Sequence, residues 1–184
     1  EGADARMRII GGSARGIALA SLGKGDIGAH LRPTADRVRE SLFGMLEGGR
    51  FGDPINEATV LDLFAGTGAL GLEALSRGAS KATFVETGAK SLALLKQNIA
   101  TTRMDGRAAV LKTDARRPKG LVGPYSLVFL DPPYGQSLGE AALKTVLPYL
   151  ATGALIVWEE ERAMVAPPGS DLLEHRRYGN TEVT

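Results

Sequence analysis

Asp131-Pro132-Pro133-Tyr134 is the segment of this sequence best equipped for chemistry. Two successive prolines fix φ and remove two N–H donors. The corner they make therefore presents acceptors only: the Asp131 carboxylate and neighbouring backbone carbonyls. Such a corner suits the exocyclic amine of a nucleic-acid base. That nitrogen is a poor nucleophile, because its lone pair is delocalised into the ring. Acceptors on its two hydrogens draw it towards tetrahedral geometry and aim the lone pair, an effect of orientation and electrostatics. Tyr134 adds an aromatic face on which an unstacked base can lie, worth ~1–3 kcal/mol.

A second group lies upstream. Asp62-Leu63-Phe64-Ala65-Gly66-Thr67-Gly68 has the form of a strand-to-helix turn, and with Gly71 it satisfies G-x-G-x-x-G. Glycines at such a turn allow tight reversal and close approach of backbone to a ligand. Glu86 follows 24 residues after Asp62, where a carboxylate can accept both hydroxyls of a ribose. Nicotinamide cofactors and S-adenosylmethionine both carry adenosine, so these features do not separate them. Asp62 favours one of the two. A carboxylate at the turn repels a pyrophosphate and attracts the ammonium and sulfonium of S-adenosylmethionine. Asp114, after the next strand, is placed to accept from an adenine amino group.

An aspartate at position 131 also bears on the target base. Guanine offers N1–H and N2–H side by side to one carboxylate, whereas adenine sets an acceptor beside its amine. This favours guanine, but a different pose relieves the clash for adenine, and the residues alone leave both bases open.

These groups need a scaffold that brings them together. Apolar patterning predicts strands at 59–64, 82–86, 108–112, 126–131 and 154–158. Helices are predicted after the Gly66-Thr67-Gly68 turn through Leu75, at about 89–101 and at about 138–150. Leu127-Val128-Phe129-Leu130 suits a parallel strand buried on both faces. An earlier helix opens at Thr34 as N-cap, carries Val38, Leu42, Met45 and Leu46 at helical spacing, and stops at Gly48-Gly49. Residues 8–19 read as two short strands around a Gly-rich turn, a hairpin too poor in apolar residues to stand without the domain. Residues 175–178 and 182–184 read as a closing β-pair. Alternating βα units give an α/β fold with a mostly parallel sheet and helices on both faces. Ligands in such sheets bind beyond the carboxyl ends of the strands, where Asp62, Gly66, Gly68, Glu86, Asp114 and Asp131 all fall.

Composition narrows the class. A chain of 184 residues, 43% hydrophobic and 23% charged, suits one globular domain. The absence of cysteine excludes disulfides, thiolate nucleophiles and thiolate metal sites, and two distant histidines, His30 and His175, do not make a metal site. No run approaches the ~18 apolar residues of a membrane span, and the polar stretch 1–8 has no secretory apolar segment. The expectation is a cytoplasmic protein without a metal. Net charge is only +1, but Arg6, Arg8, Arg15 and Lys24 occur with no acid between residues 6 and 25, and Arg32, Arg37 and Arg39 follow. This basic stretch is a candidate phosphate-contacting arm.

Arg8-Ile9-Ile10-Gly11-Gly12, the stretch from Leu31-Arg32-Pro33-Thr34-Ala35-Asp36-Arg37-Val38-Arg39-Glu40 to Phe43, the glycine turn with the helix after it, and Asp131-Pro132-Pro133-Tyr134 together resemble the RsmD family. Its members are bacterial small-subunit ribosomal RNA guanine-N2 methyltransferases. The resemblance spans nearly the whole chain. It implies a Rossmann-like S-adenosylmethionine-dependent methyltransferase fold over 31–184, and an N-terminal hairpin over 1–30 that helps engage rRNA. It implies that Thr34 and Arg37 lie near the methionine carboxylate of the cofactor. Phe64, Ala65, Gly66 and Gly68 would line the cofactor beside Asp62, Glu86 would hold its ribose, and Asp114 and Ala115 its adenine. Asp131, Pro132, Pro133 and Tyr134 would hold the guanine, while Arg8, Arg15, Lys24, Arg32 and Arg39 would meet RNA. The expected partner is ribosomal RNA within a small-subunit particle or assembly intermediate, met by a monomer. Two departures stand out: Ile17 follows Gly16 where family members often carry a basic residue, and the chain ends at Thr184 inside the expected last strand.

Other readings predict different features. An adenine-N6 methyltransferase of RNA or DNA shares the tetrapeptide, but little length remains for a separate DNA-recognition domain. An rRNA-binding assembly factor with a vestigial cofactor site would show damage in the glycine turn or the tetrapeptide, and both are whole. A nicotinamide-dependent oxidoreductase is opposed by Asp62 and by the lack of an acid/base pair near the turn.

Overall fold

The structure is a computed structural model that describes residues 7–22 and 36–184. Thr34, Lys24 and Arg32, three of the expected binding residues, lie outside the described residues. The elements run α1 (Asp36–Glu47), β1 (Thr59–Leu63), α2 (Ala69–Ser76), β2 (Lys81–Glu86), α3 (Ala89–Thr101), β3 (Ala108–Lys112), β4 (Tyr125–Leu130), α4 (Leu138–Val146), β5 (Leu150–Glu160), β6 (Arg176–Tyr178) and β7 (Thr181–Val183). The seven strands form one sheet in the order β3-β2-β1-β4-β5-β7-β6, with β3 to β5 parallel and β7 antiparallel to both its neighbours.

Alternation along the strands splits the core in two. Val60, Phe84, Leu127, Phe129 and Val157 face a layer built by α1, α2, α3 and the N-terminal segment. Leu61, Leu63, Val85, Val128, Leu130 and Trp158 face α4, through Ala142, Leu143 and Val146. Connection handedness explains the division. Right-handed crossovers from β1 to β2 to β3 put α2 and α3 on one face; the chain then reverses direction across the sheet, so the crossover from β4 to β5 puts α4 on the other. Burial on both faces is why the last four residues of β4, Leu127–Leu130, read as an unbroken apolar run.

Three expectations change. β5 starts at Leu150 and spans 11 residues, longer than the apolar stretch 154–158 suggested. Its first half is half-buried or exposed, including Gly153, so hydrophobicity could not reveal it. α4 ends at Val146 and a 3-10 turn over Leu147–Tyr149 completes the expected helix. The N-terminal hairpin forms a single antiparallel bridge, Arg8 to Ala18, extended by Leu19 N–H to Met7 O at 2.7 Å and Gly16 N–H to Ile9 O at 2.8 Å.

That hairpin is part of the core. Met7, Ile9, Ala14 and Leu19 are buried in the α1–α3 layer. Its backbone lies directly on α2: a Cβ on Gly12, at φ 77°, would come within 1.8 Å of the Ser76 carbonyl oxygen. Ser13 N–H donates to that carbonyl at 2.8 Å, Ala14 N–H to Ser76 Oγ at 2.9 Å, and Ile10 and Gly11 N–H to the Glu73 carboxylate at 3.0 and 2.9 Å. These acceptors on α2, one backbone carbonyl and two side chains, replace the strand ladder that the short hairpin lacks.

Arg39 is a correction. Expected to meet RNA, it is fully buried, with Nη1 3.4 Å from Glu73 and Nη2 on Asp36. Burial lowers its pKa, and the charges of Glu73 and Asp36 oppose that shift. A guanidinium committed in this way cannot reach a phosphate.

Candidate active site

The topology reverses between β1 and β4, so the strand ends there open a crevice. Register brings the expected groups to it. Leu63 pairs with Val85 of β2 on one side and with Leu130 of β4 on the other. The residues that follow, Phe64, Glu86 and Asp131, therefore emerge side by side at the carboxyl edge of the sheet. Glu86 and Asp131 are half-buried, as are Phe64, Ala65, Pro133 and Tyr134, while Pro132 is buried.

The glycine turn is held from several sides. Ala65 N–H donates to Val85 O at 3.0 Å and Gly68 N–H to Ala65 O at 2.8 Å. Phe64 has φ 57° and Gly68 φ 84°, both left-handed. Glycine adopts this conformation freely, but for phenylalanine it costs about 1–2 kcal/mol. Strain of this kind persists only where surrounding structure imposes it, and it concentrates at functional sites. Asn98, buried on α3, supplies part of that restraint. Its Nδ2 donates to Thr67 O at 2.9 Å and to Ala20 O at 3.0 Å, and its Oδ1 accepts from Ala20 N–H at 2.7 Å. Asn98 thus ties the glycine turn to the N-terminal segment, a role that sequence reasoning missed. An asparagine at helical spacing on the inward face that carries Leu95 and Ile99 was the available signal.

Asp62 has a different place from the one expected. It is 1% exposed and accepts from Gly71 N–H at 3.0 Å, so it braces α2 from beneath the turn. Burial pushes its carboxyl well above the usual range; the Gly71 hydrogen bond opposes this, and the charges of Asp131 and Glu86 add to it. A buried acid driven towards neutrality repels a pyrophosphate weakly, so the argument from Asp62 against a dinucleotide loses its force. The acidic character of the edge rests instead on Glu86 and Asp131. Because folding raises the Asp62 pKa, its contribution is fully present below the unfolded value and is lost as pH rises through the native one. Asp62→Asn keeps an acceptor for Gly71 and removes the buried charge. It should raise the melting temperature at neutral pH, with the gain shrinking as pH falls towards the unfolded value. A variant less stable than the parent at every pH contradicts this account.

Burial also raises the Glu86 pKa, opposed by hydrogen bonds from the Thr87, Gly66 and Gly88 amides and the Ser91 hydroxyl. The carboxylate is thereby oriented against the turn. Asp114 is bound to Arg116, with Nη2 to Oδ2 at 2.7 Å and the Arg116 amide to Oδ1 at 2.8 Å; these contacts hold its pKa down. Ala115 beside it is buried and Arg37 is exposed. Arg8 is exposed with Nε 3.6 Å from Asp36, and Arg15 is exposed. Glu159 was not foreseen. It is 3% exposed and follows Trp158, the partner of Leu130, so it stands beside Asp131 at the sheet edge. Two cavities of roughly 600 Å³ lie elsewhere, one around Arg50, Asp53 and Asn56 and one along β5 and residues 165–174.

The residues suit an adenosine cofactor: the Glu86 carboxylate, a group able to accept from ribose hydroxyls, lies beside a glycine turn, with Asp114 and Ala115 just beyond the end of the adjoining strand. Comparison with known proteins agrees with the fold and the motifs. The family model described as Conserved hypothetical protein 95 matches residues 7–184. Ribosomal RNA small subunit methyltransferase D of Escherichia coli is 41% identical over 159 residues, covering 85% of this chain and 75% of that protein. Its namesake from Haemophilus influenzae is 35% identical over 190 residues, covering 96% and 91%. The solved structure of yhhF from Escherichia coli, provisionally named a methyltransferase, superposes with a TM-score of 0.79 at 37% identity, covering 97% of this chain and 95% of that one. The chain belongs to the family of these proteins, the RsmD family that its motifs resemble.

Proposed function

We propose that this protein transfers a methyl group from S-adenosylmethionine to the N2 amine of a guanine in small-subunit ribosomal RNA. One observation carries the reading: the strand register brings Asp131 and its acceptor-only corner next to the glycine turn and Glu86. The names of the relatives support ribosomal RNA as the substrate.

S-adenosylmethionine, when bound, supplies an electrophilic methyl group on a sulfonium. Glu86 accepts hydrogen bonds from the ribose hydroxyls. Phe64, Ala65, Gly66 and Gly68 line the turn, Asp114 and Ala115 border the adenine, and Thr34 and Arg37 serve the carboxylate end. Asp131 accepts from the guanine N–H groups and, with the carbonyls of the proline corner, orients the N2 lone pair. Its carboxylate also receives the proton that the methylated nitrogen sheds. Tyr134 stacks on the base, which must first leave any helix it occupies.

Small subunits from a strain lacking this protein, incubated with labelled S-adenosylmethionine and the enzyme, should yield N2-methylguanosine on nucleoside analysis. Label in N6-methyladenosine, or none in rRNA, overturns the reading. Arg8 and Arg15 form the RNA arm, with Arg39 excluded by its burial. Replacing both by alanine should weaken RNA binding most at low salt and reduce the slope of log K against log salt by about 0.7–0.9 for each phosphate no longer neutralised. An unchanged slope removes these arginines from the interface.

A further inference from the structure

We propose that Thr181 is a positioning residue for Tyr134, holding the ring on which the target base stacks; this rests on the functional reading above. The Tyr134 hydroxyl lies 2.8 Å from Thr181 Oγ1, and the pair is partly buried. The two residues come from distant parts of the chain. Tyr134 sits in the loop between β4 and α4, whereas Thr181 opens β7.

β7 is a rigid mount. It is inserted between β5 and β6, and Trp158 and Thr184 exchange backbone hydrogen bonds at 2.9 and 2.8 Å. Trp158 in turn pairs with Leu130, the residue before Asp131. The catalytic corner and Thr181 are therefore linked through the sheet as well as through the tyrosine. The loop backbone fixes only the Cβ end of the tyrosine, and the two side-chain torsions beyond it decide where the ring faces. Anchoring the hydroxyl at the far end removes that freedom before the base arrives, so less ordering remains to be done on binding. The loop itself turns sharply just beyond, with positive φ at Gly135 (71°) and Ser137 (52°). A ring carried on such a turn gains its orientation from a partner outside the loop.

The test compares Thr181→Val, Thr181→Ser, Tyr134→Phe and the double variant Tyr134→Phe/Thr181→Val, using small subunits that lack the modification. Thr181→Val should lower kcat/KM for RNA about three- to tenfold, the effect of one net hydrogen bond. Cofactor affinity should stay at the parent value, melting temperature should fall by no more than about 2–4 °C, and Thr181→Ser should restore activity. Tyr134→Phe should show a similar loss, and the double variant should be no worse than either single one. NMR of labelled tyrosine should show a more mobile Tyr134 ring in Thr181→Val, a readout that does not depend on activity. An unchanged ring and parental activity in Thr181→Val overturn the proposal, as do losses that multiply in the double variant. If the parent methylates no guanine while ring mobility changes as expected, the tether stands and the functional reading fails.

Discussion

Asp131→Ala should reduce methyl transfer by at least about 10²–10³-fold, the loss typical when one preorganised polar group is removed from a reacting centre. Cofactor binding should be nearly unchanged. Asp131 is not among the groups that hold the cofactor turn: Val85 O and Asn98 do that, with Asp62 bracing α2 beneath. On the proposed mechanism, removing Asp131 takes away the acceptor that orients the base nitrogen and receives its proton, and leaves an amine that is a weak nucleophile. Steady-state transfer measured beside cofactor binding by calorimetry separates the two effects. Substantial activity in Asp131→Ala would refute the proposed role, and lost cofactor affinity would move Asp131 from the base to the cofactor.

A second large effect is expected far from the chemistry. Glu73 is fully buried on α2 and accepts from Ile10 and Gly11 N–H, from Arg77 Nε at 2.9 Å and from Arg39 Nη1 at 3.4 Å. Arg77 continues the network to Glu47 at 2.7 Å, and its guanidinium carbon lies 5.2 Å from the Phe43 ring centroid. Glu73→Ala removes one of the two carboxylates that compensate the buried Arg39 charge, leaving only Asp36, and strips two hairpin amides of their acceptor. Breaking a buried pair in this way costs about 3–5 kcal/mol. For a domain of this size that is a fall of roughly 6–20 °C in melting temperature. The double variant Arg39→Met/Glu73→Leu should recover only part of the loss: removing both charges removes their desolvation cost, but the Ile10 and Gly11 amides and Arg77 Nε still lack their acceptor. A Glu73→Ala protein as stable as the parent would show that the network contributes little.

The sequence showed where structure depends on local pattern. β1, β3 and β4, α2 and α3 lie within a residue or two of their expected ends. The apolar runs of the buried strands and the glycines of the turn are strong local signals. Glu86 and Asp131 could be placed because the alternation of strands and helices sends every strand end to the same edge. Facts decided by tertiary packing were harder to read. The residue type of Arg39 suggests a surface cation that meets RNA. Its spacing from Leu42, Phe43 and Leu46 in fact puts it on the buried stripe of α1. Glu73, inside the apolar run of α2, was the other half of the same signal. Two opposite charges on two apolar helix faces imply a buried pair, but only once the helices are known to pack together. Asp62 was correctly located at the turn, yet its distance below the surface depends on α2 covering it. The Tyr134–Thr181 contact joins the loop after β4 to the start of β7, and it depends on the antiparallel insertion of β7, which no local pattern encodes.

The central claim is spatial: the acceptor corner and the cofactor turn belong to one crevice. A crystal structure of the protein with S-adenosylhomocysteine tests it most directly. The account predicts the ribose on Glu86, the adenine near Asp114 and Ala115, and the sulfur turned towards the Asp131 carboxylate. The product bound instead in the cavity around Arg50 and Asn56, or with its sulfur turned away from Asp131, would contradict the account.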